Sequence, residues 1–272
     1  MSSNTTATAN QGNTNRHAGW EILQIPVLSD NYIYLLHDAA TGATAVVDPA
    51  EAAPVIEAAE QRGWRITHIL NTHHHGDHVG GNLAIKQAHG ATILGPAYDR
   101  DRIPGLDVAV DEASGADVAG HHAQVFFVPG HTRGHIAYYF AESAALFCGD
   151  TLFSIGCGRL FEGTPQQMWS SLLKLRALPD ATRVYCAHEY TESNCRFAIT
   201  VDPENADLQR KVADVKASRA VGRPTIPALL GNEKASNPFL RADQPSLMQR
   251  FPESAGDPVA VFAAIRGAKD RF

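Results

Sequence analysis

Ile66-Thr67-His68-Ile69-Leu70-Asn71, followed without a break by Thr72-His73-His74-His75-Gly76-Asp77-His78, is the stretch on which the fold turns. The first six residues are apolar and β-branched enough to predict a strand. The next seven are too rich in imidazole and carboxylate to be ordinary turn residues. His73 and His75 stand two apart, so an extended or turning backbone can point both rings the same way. Asp77 and His78, a turn further on, can address a second ion, and Gly76 permits whatever unusual backbone that turn needs. Nitrogen and carboxylate donors suit zinc, iron or manganese and not calcium.

The same device recurs along the chain. Apolar strands at Gln124–Val128, Ala145–Cys148 and Val184–Ala187 run out into His131, Asp150 and His188. Strand ends gathered at one edge of a sheet are spatial neighbours, and a rigid scaffold there holds ligands to the tolerance a metal requires. His73, His75, Asp77, His78, His131, Asp150 and His188 are too many donors for one ion, so two are expected. A carboxylate can lend one oxygen to each ion, which makes Asp150 the candidate bridge. The other histidines receive plainer readings. His68 reads as a core residue, His74 and His135 as groups that orient ligands, and His17, His37, His89, His121 and His122 as solvated.

Outward from these motifs, strands are predicted at Trp20–Val27, Tyr32–Leu36, Thr44–Val47, Ala91–Leu94 and Ile136–Phe140, with helices over Ala52–Arg62 and Leu83–His89. Pro104–Gly120 is weakly patterned and reads as loop. Thr164-Pro165 opens a helix, and Gln167 can close a capping box on Thr164. Beyond His188 the texture turns helical, with Glu204–Arg219 amphipathic and a last helix capped by Asp257-Pro258. Strands with interspersed helices, then helices alone, predict an α/β sandwich domain over residues 20–190 and a small C-terminal α-helical domain over 191–272. Residues 1–19, rich in Ser, Thr and Asn, read as a disordered tail.

The chain has 272 residues, 44% of them apolar, enough for a substantial core. A formal charge of -6 argues against a nucleic-acid binder. No apolar run is long enough to cross a membrane and no secretory leader is legible, so a cytoplasmic monomer is expected. The four cysteines, Cys148, Cys157, Cys186 and Cys195, form no C-x-x-C pair and read as buried free thiols.

The histidine cluster resembles the H-x-H-x-D-H signature of the metallo-β-lactamase superfamily. Further stretches are more specific: Pro129-Gly130-His131-Thr132-Arg133-Gly134-His135, Gly149-Asp150-Thr151-Leu152-Phe153, Gly156-Cys157-Gly158-Arg159-Leu160-Phe161-Glu162-Gly163-Thr164, Ala187-His188-Glu189-Tyr190-Thr191 and Ile265-Arg266-Gly267-Ala268-Lys269-Asp270-Arg271-Phe272. Together they resemble the glyoxalase II, or hydroxyacylglutathione hydrolase, family from about Trp20 to Phe272. The resemblance implies a four-layer αββα sandwich followed by a helical glutathione-binding domain. It implies one metal on His73, His75 and His131, a second on Asp77, His78 and His188, and Asp150 between them. Arg159, Tyr190, Arg266 and Lys269 are implied as contacts to the glutathione moiety. Phe161 stands where some members carry Tyr, and Arg159 where some carry Lys.

The activity implied is hydrolysis of S-(2-hydroxyacyl)glutathione thioesters such as S-D-lactoylglutathione to glutathione and D-lactate, the second step of methylglyoxal detoxification. Two divalent metal ions, zinc first with iron or manganese as alternatives, would activate the attacking water, with Asp77 and Asp150 as the catalytic carboxylates. Persulfide dioxygenases are the nearest rival on the same motifs. Lactonases and β-lactamases generally lack the basic C-terminal pair. A protein that keeps metal only for folding would need fewer donors, since structural zinc sites are closed and four-coordinate.

Overall fold

The computed structural model describes residues 13–16 and 19–272; the readings of residues 1–12 and of His17 lie outside the described residues. The first sheet runs in the order β1 (Asn13–Arg16), β2 (Glu21–Val27), β3 (Asn31–His37), β4 (Ala43–Val47), β5 (Arg65–Leu70), β6 (Thr92–Pro96) and β7 (Val108–Val110). It is antiparallel as far as β4 and parallel beyond it. Helices α1 (Ala53–Glu60), α2 (Gly76–Val79) and α3 (Asn82–His89) supply the crossovers. The chain continues through β8 (Ala116–Val118), β9 (His121–Phe127), β10 (Ile136–Phe140) and β11 (Ala145–Gly149). The short hairpin β12 (Leu152–Phe153) and β13 (Gly156–Cys157) and then α4 (Pro165–Arg176) lead to β14 (Arg183–Cys186). After α5 (Thr191–Val201) and α6 (Ala206–Ala220) come β15 (Ala228–Leu229), α7 (Leu230–Ser236), α8 (Pro245–Met248) and α9 (Pro258–Arg271). The second sheet has the order β15-β14-β11-β10-β9-β8.

Period-two alternation explains the layers. On β3, Tyr32, Tyr34 and Leu36 face the core shared with the second sheet, which includes Val125, Tyr138, Phe147 and Tyr185. Ile33 and Leu35 face the opposite way, onto Val55 and Ala59 of α1 and Ile85 of α3. Both faces of β3 are therefore buried. On the far side of the second sheet, Ser171 of α4 donates to the Pro129 carbonyl at 2.8 Å, and α4 shares its apolar cluster with Phe262 and Ile265 of α9. This is the αββα sandwich with helices following it.

Several expectations are corrected. Within the expected tail, Asn13–Arg16 pairs with β2, because an edge strand there satisfies open backbone groups. The weakly patterned stretch 104–120 contains β7 and β8; strands this short carry too little alternation to register. The segment beyond residue 190 is helical as expected but for β15, and it packs closely on the sandwich. Its β15 extends the second sheet from β14, Phe197, Phe239 and Phe262 lie in the main core, and Arg176 grips Asp243 through both Nη atoms at 2.8 and 2.6 Å. Of the histidines read as solvated that lie among the described residues, His122 is exposed and His37, His89 and His121 are partly buried. His37 stacks on Trp64, and His121 packs on Trp20 and meets Asp38 at 3.2 Å. The Thr164 capping box on α4 is present, Asp257 caps α9, and all four cysteines are buried and free.

Candidate metal centre

Seven side chains converge where both sheets end, and not at the edge of one sheet as expected. β5 of the first sheet leads into His73, His75, Asp77 and His78, while β9, β11 and β14 of the second lead into His131, Asp150 and His188. Backbone bonds lock the two together: Tyr32 N–H donates to Ala187 O at 2.7 Å, Glu189 N–H to Asp30 O at 2.8 Å, and Ile136 N–H to Thr72 O at 2.9 Å. Gly76 opens α2 with no steric demand on it. The unusual backbone lies instead at Gly149, where φ is +47° and a Cβ would strike the Thr72 hydroxyl and the His135 ring.

Two groups of donors result. His73 Nε2 and His131 Nε2 each lie 3.1 Å from His75 Nδ1. Asp77 Oδ2 lies 3.5 Å from His78 Nε2 and 3.6 Å from His188 Nε2. Within each group the donor atoms lie inside 4.8 Å of one another. Asp150 stands between the groups: its Oδ2 is 3.3 Å from His131 Nε2, and its Oδ1 is 3.3 Å from His188 Nε2 and 3.6 Å from His78 Nε2. His78 Nε2 and Asp150 Oδ1 are buried and make no hydrogen bond. Buried polar atoms left so are costly, and an N/O donor set of this kind fits a first-row divalent cation in each group.

The outward-facing ring nitrogens are anchored. His78 Nδ1 faces Asp48 Oδ2 at 3.1 Å, His188 Nδ1 faces Asp30 Oδ1 at 2.8 Å, and His131 Nδ1 donates to the Arg159 carbonyl at 2.9 Å. Asp48 also accepts the Thr72 N–H and hydroxyl at 2.8 and 2.7 Å, and Asn31 Nδ2 donates to Asp77 Oδ2 at 3.1 Å. Such anchoring fixes the tautomer that presents the other nitrogen to a metal. Sequence reasoning missed Asp48, Asp30 and Asn31. They sit at turns, where Asp and Asn are common for local reasons. Of the two histidines expected to orient ligands, His135 accepts the Asp150 N–H at 3.1 Å and stacks on His73. His74 instead joins Asp99, Arg102 and Glu162.

Burial, reinforced by the neighbouring imidazoles, pushes His73 well below its ordinary range and His75 down to about 4, so both are neutral donors. Burial opposes charge on His78 and His188 as well, but Asp150 and its fellow carboxylates outweigh it and both are raised. Burial would likewise raise Asp150, yet His78, His188 and His131 hold it well below the usual carboxylate range. A cation at either group competes with protons for these nitrogens.

Above the donors lies a cavity of about 810 Å³ lined by Phe153, Phe161, Tyr190, Arg159, Arg196 and Lys269 among others. Tyr190 stacks on the His188 ring with centroids 4.7 Å apart, and Phe161 lies edge-on to His75 and His131. One wall is the β12–β13 hairpin, gripped from beyond residue 190. Buried Glu233 accepts from Ser154 Oγ and Ile155 N–H, both at 2.7 Å, Asn194 donates to Ser154 O, and Asn237 donates to Phe153 O and Gly156 O. A Cβ at Gly158 would collide with the Asp150 carbonyl, so the wall presses directly on the loop of the bridging candidate. Arg266 also lines the cavity, from within this wall: it is 5% exposed, and its Nη1 donates to Cys157 O at 2.7 Å.

A family model described as metallo-beta-lactamase superfamily matches residues 28–188, and one described as hydroxyacylglutathione hydrolase C-terminus matches residues 189–272. Curated hydroxyacylglutathione hydrolases from Rhodospirillum rubrum and Methylococcus capsulatus are 59% and 57% identical over 252 residues, covering 93% of this chain and 98% of each relative. The chain belongs to the hydroxyacylglutathione hydrolase family. Among solved structures, the crystal structure of TTHA1623 in a di-iron-bound form is 28% identical, with a TM-score of 0.52 over 61% of this chain and 91% of that one. Family membership extends across both the donor-bearing strands and the helices that grip the hairpin.

Proposed function

We propose that the protein hydrolyses S-(2-hydroxyacyl)glutathione thioesters, such as S-D-lactoylglutathione, to glutathione and a 2-hydroxy acid. The observation that carries this reading is Asp150, with one carboxylate oxygen turned to each donor group on the floor of a cavity with a basic mouth. His73, His75 and His131 would hold one divalent cation, Asp77, His78 and His188 the other, and Asp150 would serve both. Zinc is the first expectation, with iron or manganese as alternatives. When bound, such ions lower the pKa of a water and polarise a carbonyl oxygen.

The chain's own residues account for the rest. Asp48, Asp30 and the Arg159 carbonyl hold three imidazoles in the ligating tautomer. Phe153, Phe161 and Tyr190 give the cavity an apolar lining beside the donors. Arg159 and Lys269 offer positive charge to the substrate's carboxylates, in a chain whose net charge is -6. No side chain is needed as nucleophile. Burial pushes the Cys157 thiol up to about 11 despite Arg266, so it is protonated at neutral pH. The leaving thiolate, of pKa about 8.5, departs without a protein acid. Incubation with S-D-lactoylglutathione tests the reading: free glutathione and D-lactate should appear in equal amounts as thioester absorbance falls. Oxygen uptake with glutathione persulfide, and no thioester loss, would replace it with the dioxygenase reading.

A further inference from the structure

Each sheet delivers part of the first donor group: His73 and His75 follow β5, and His131 follows β9. Most donor rings are held by a hydrogen bond on the nitrogen that faces outward. His73, His78, His131 and His188 each have one on Nδ1, shared with Thr72, Asp48, Arg159 and Asp30 respectively. His75 differs. Its Nδ1 is the atom turned inward, and its Nε2 makes no hydrogen bond among the described residues. The placement of His75 therefore comes from its neighbours, and these belong to one network.

His74 points away from the donors. Its Nδ1 lies 3.1 Å from Oδ2 of Asp99, a carboxylate 2% exposed, and Arg102 Nη2 donates to its Nε2. A guanidinium only donates, so His74 carries its single proton on Nδ1, toward Asp99. Arg102 ends the segment Ala97–Arg102 that follows β6, and it reaches on to Glu162 through Nη1 at 3.2 Å and Nη2 at 2.6 Å. Glu162 in turn accepts the Arg133 N–H at 2.8 Å, two residues beyond His131. Around it the stretch 161–163 runs along the His131 loop, with Phe161 N–H on His131 O at 3.3 Å and Gly163 N–H on Gly130 O at 3.0 Å. A Cβ at Gly163 would strike Gly130, and one at Gly134 would strike the Asp99 carboxylate, so these segments are in close contact. The Phe161 ring lies edge-on to His75 and His131, with centroids 5.8 and 5.2 Å away.

Resting on the reading of His73, His75 and His131 as holders of one cation, we propose that Arg102 is a positioning residue for that group. Bonded to His74 on one side and Glu162 on the other, it holds His75 in register with His131 across the two sheets. Arg102 is 41% exposed, and ion pairs that exposed contribute little to folding. What it fixes is the relative placement of two loops, on which a ligand set depends.

The test uses zinc-loaded protein. Metal content is read against chelator concentration, with the imidazole nitrogen resonances recorded alongside. Arg102→Gln should release one of its two equivalents at a chelator concentration roughly tenfold lower than the parent needs. The His75 and His131 resonances should shift, while those of His78 and His188 stay in place. Arg102→Lys keeps the charge but cannot serve His74 and Glu162 at once, so its release should fall between the two. Arg176→Gln is the control for lost stability alone. It breaks the paired bonds to Asp243 on the far side of the second sheet, and should lower the urea midpoint without moving the metal curve. A parental metal curve in Arg102→Gln would overturn the proposal, as would equal metal loss in Arg176→Gln, or shifts confined to His78 and His188. A parent that takes up no zinc would remove the metal reading and this inference with it. No arm uses a substrate, so these outcomes are separate from the fate of the thioester reading.

Discussion

Replacing Asp48 with Asn probes how the protein fixes a ligating tautomer. Asp48 is 4% exposed and accepts from three donors: Thr72 N–H on Oδ1, and the Thr72 hydroxyl and His78 Nδ1 on Oδ2. Its φ is +47°, a conformation that Asn tolerates well, so the backbone should not move. An amide offers one acceptor and one donor group. If its oxygen keeps the Thr72 N–H, its NH2 faces His78 Nδ1. That ring must then carry its proton on Nε2, the atom turned toward Asp77 and Asp150, where it cannot ligate. If the amide flips, its NH2 meets the Thr72 N–H, donor against donor in a dry site. Either outcome costs about 1–3 kcal/mol, or roughly 5- to 150-fold in affinity for the second ion. Asp30→Asn, at His188, is the control: that carboxylate is 34% exposed, so water can relieve the mismatch and the loss should be smaller. The assay is metal content against chelator concentration. Asp48→Asn retaining both ions at the parent's chelator concentrations, with Asp30→Asn equal or worse, would refute the tautomer argument.

Other substitutions extend the test. Asp150→Ala removes the oxygens turned to both groups, and should lose bound metal together with at least about 100-fold in kcat/KM; full metal content at the parental rate would exclude a bridge. Glu233→Leu deprives Ser154 Oγ and Ile155 N–H of their acceptor and should cost about 1–3 kcal/mol per stranded donor in urea unfolding, with no loss counting against the hairpin grip. A hydrogen bond from Arg102 holds Glu162 down to about 2 from an ordinary 4.5. A carboxyl depressed by folding stabilises fully above its unfolded value and loses that contribution as pH falls through the folded one. The urea-midpoint gap between the parent and Glu162→Gln should therefore hold above pH 4.5 and narrow toward 2; a constant gap over that interval would contradict it.

The strand-end donors were legible because each pairs an apolar run with an isolated His or Asp, a pattern that has few other uses. The layering was legible for a similar reason, since Tyr32 to Leu36 is apolar on both alternating sets and can only be a strand buried on two sides. Asp48, Asp30 and Glu233 were not legible. Their roles depend on partners 24 to 158 residues away in sequence, and locally they look like a strand end, a turn and a helix-surface charge. Arg266 is the converse case: on its own, a basic residue near the end of an amphipathic helix reads as solvated, while its aliphatic stem and planar head are buried against Phe239 and the Cys157 carbonyl.

The most direct measurement is a metal titration. The protein would be stripped with chelator, dialysed, and returned to S-D-lactoylglutathione with increasing zinc while thioester loss is followed. Two interdependent groups joined by Asp150 should give no hydrolysis when stripped, and a rate that reaches its plateau at two equivalents per chain. Full activity at one equivalent, or hydrolysis that survives complete stripping, would contradict a reaction centred on a paired metal site.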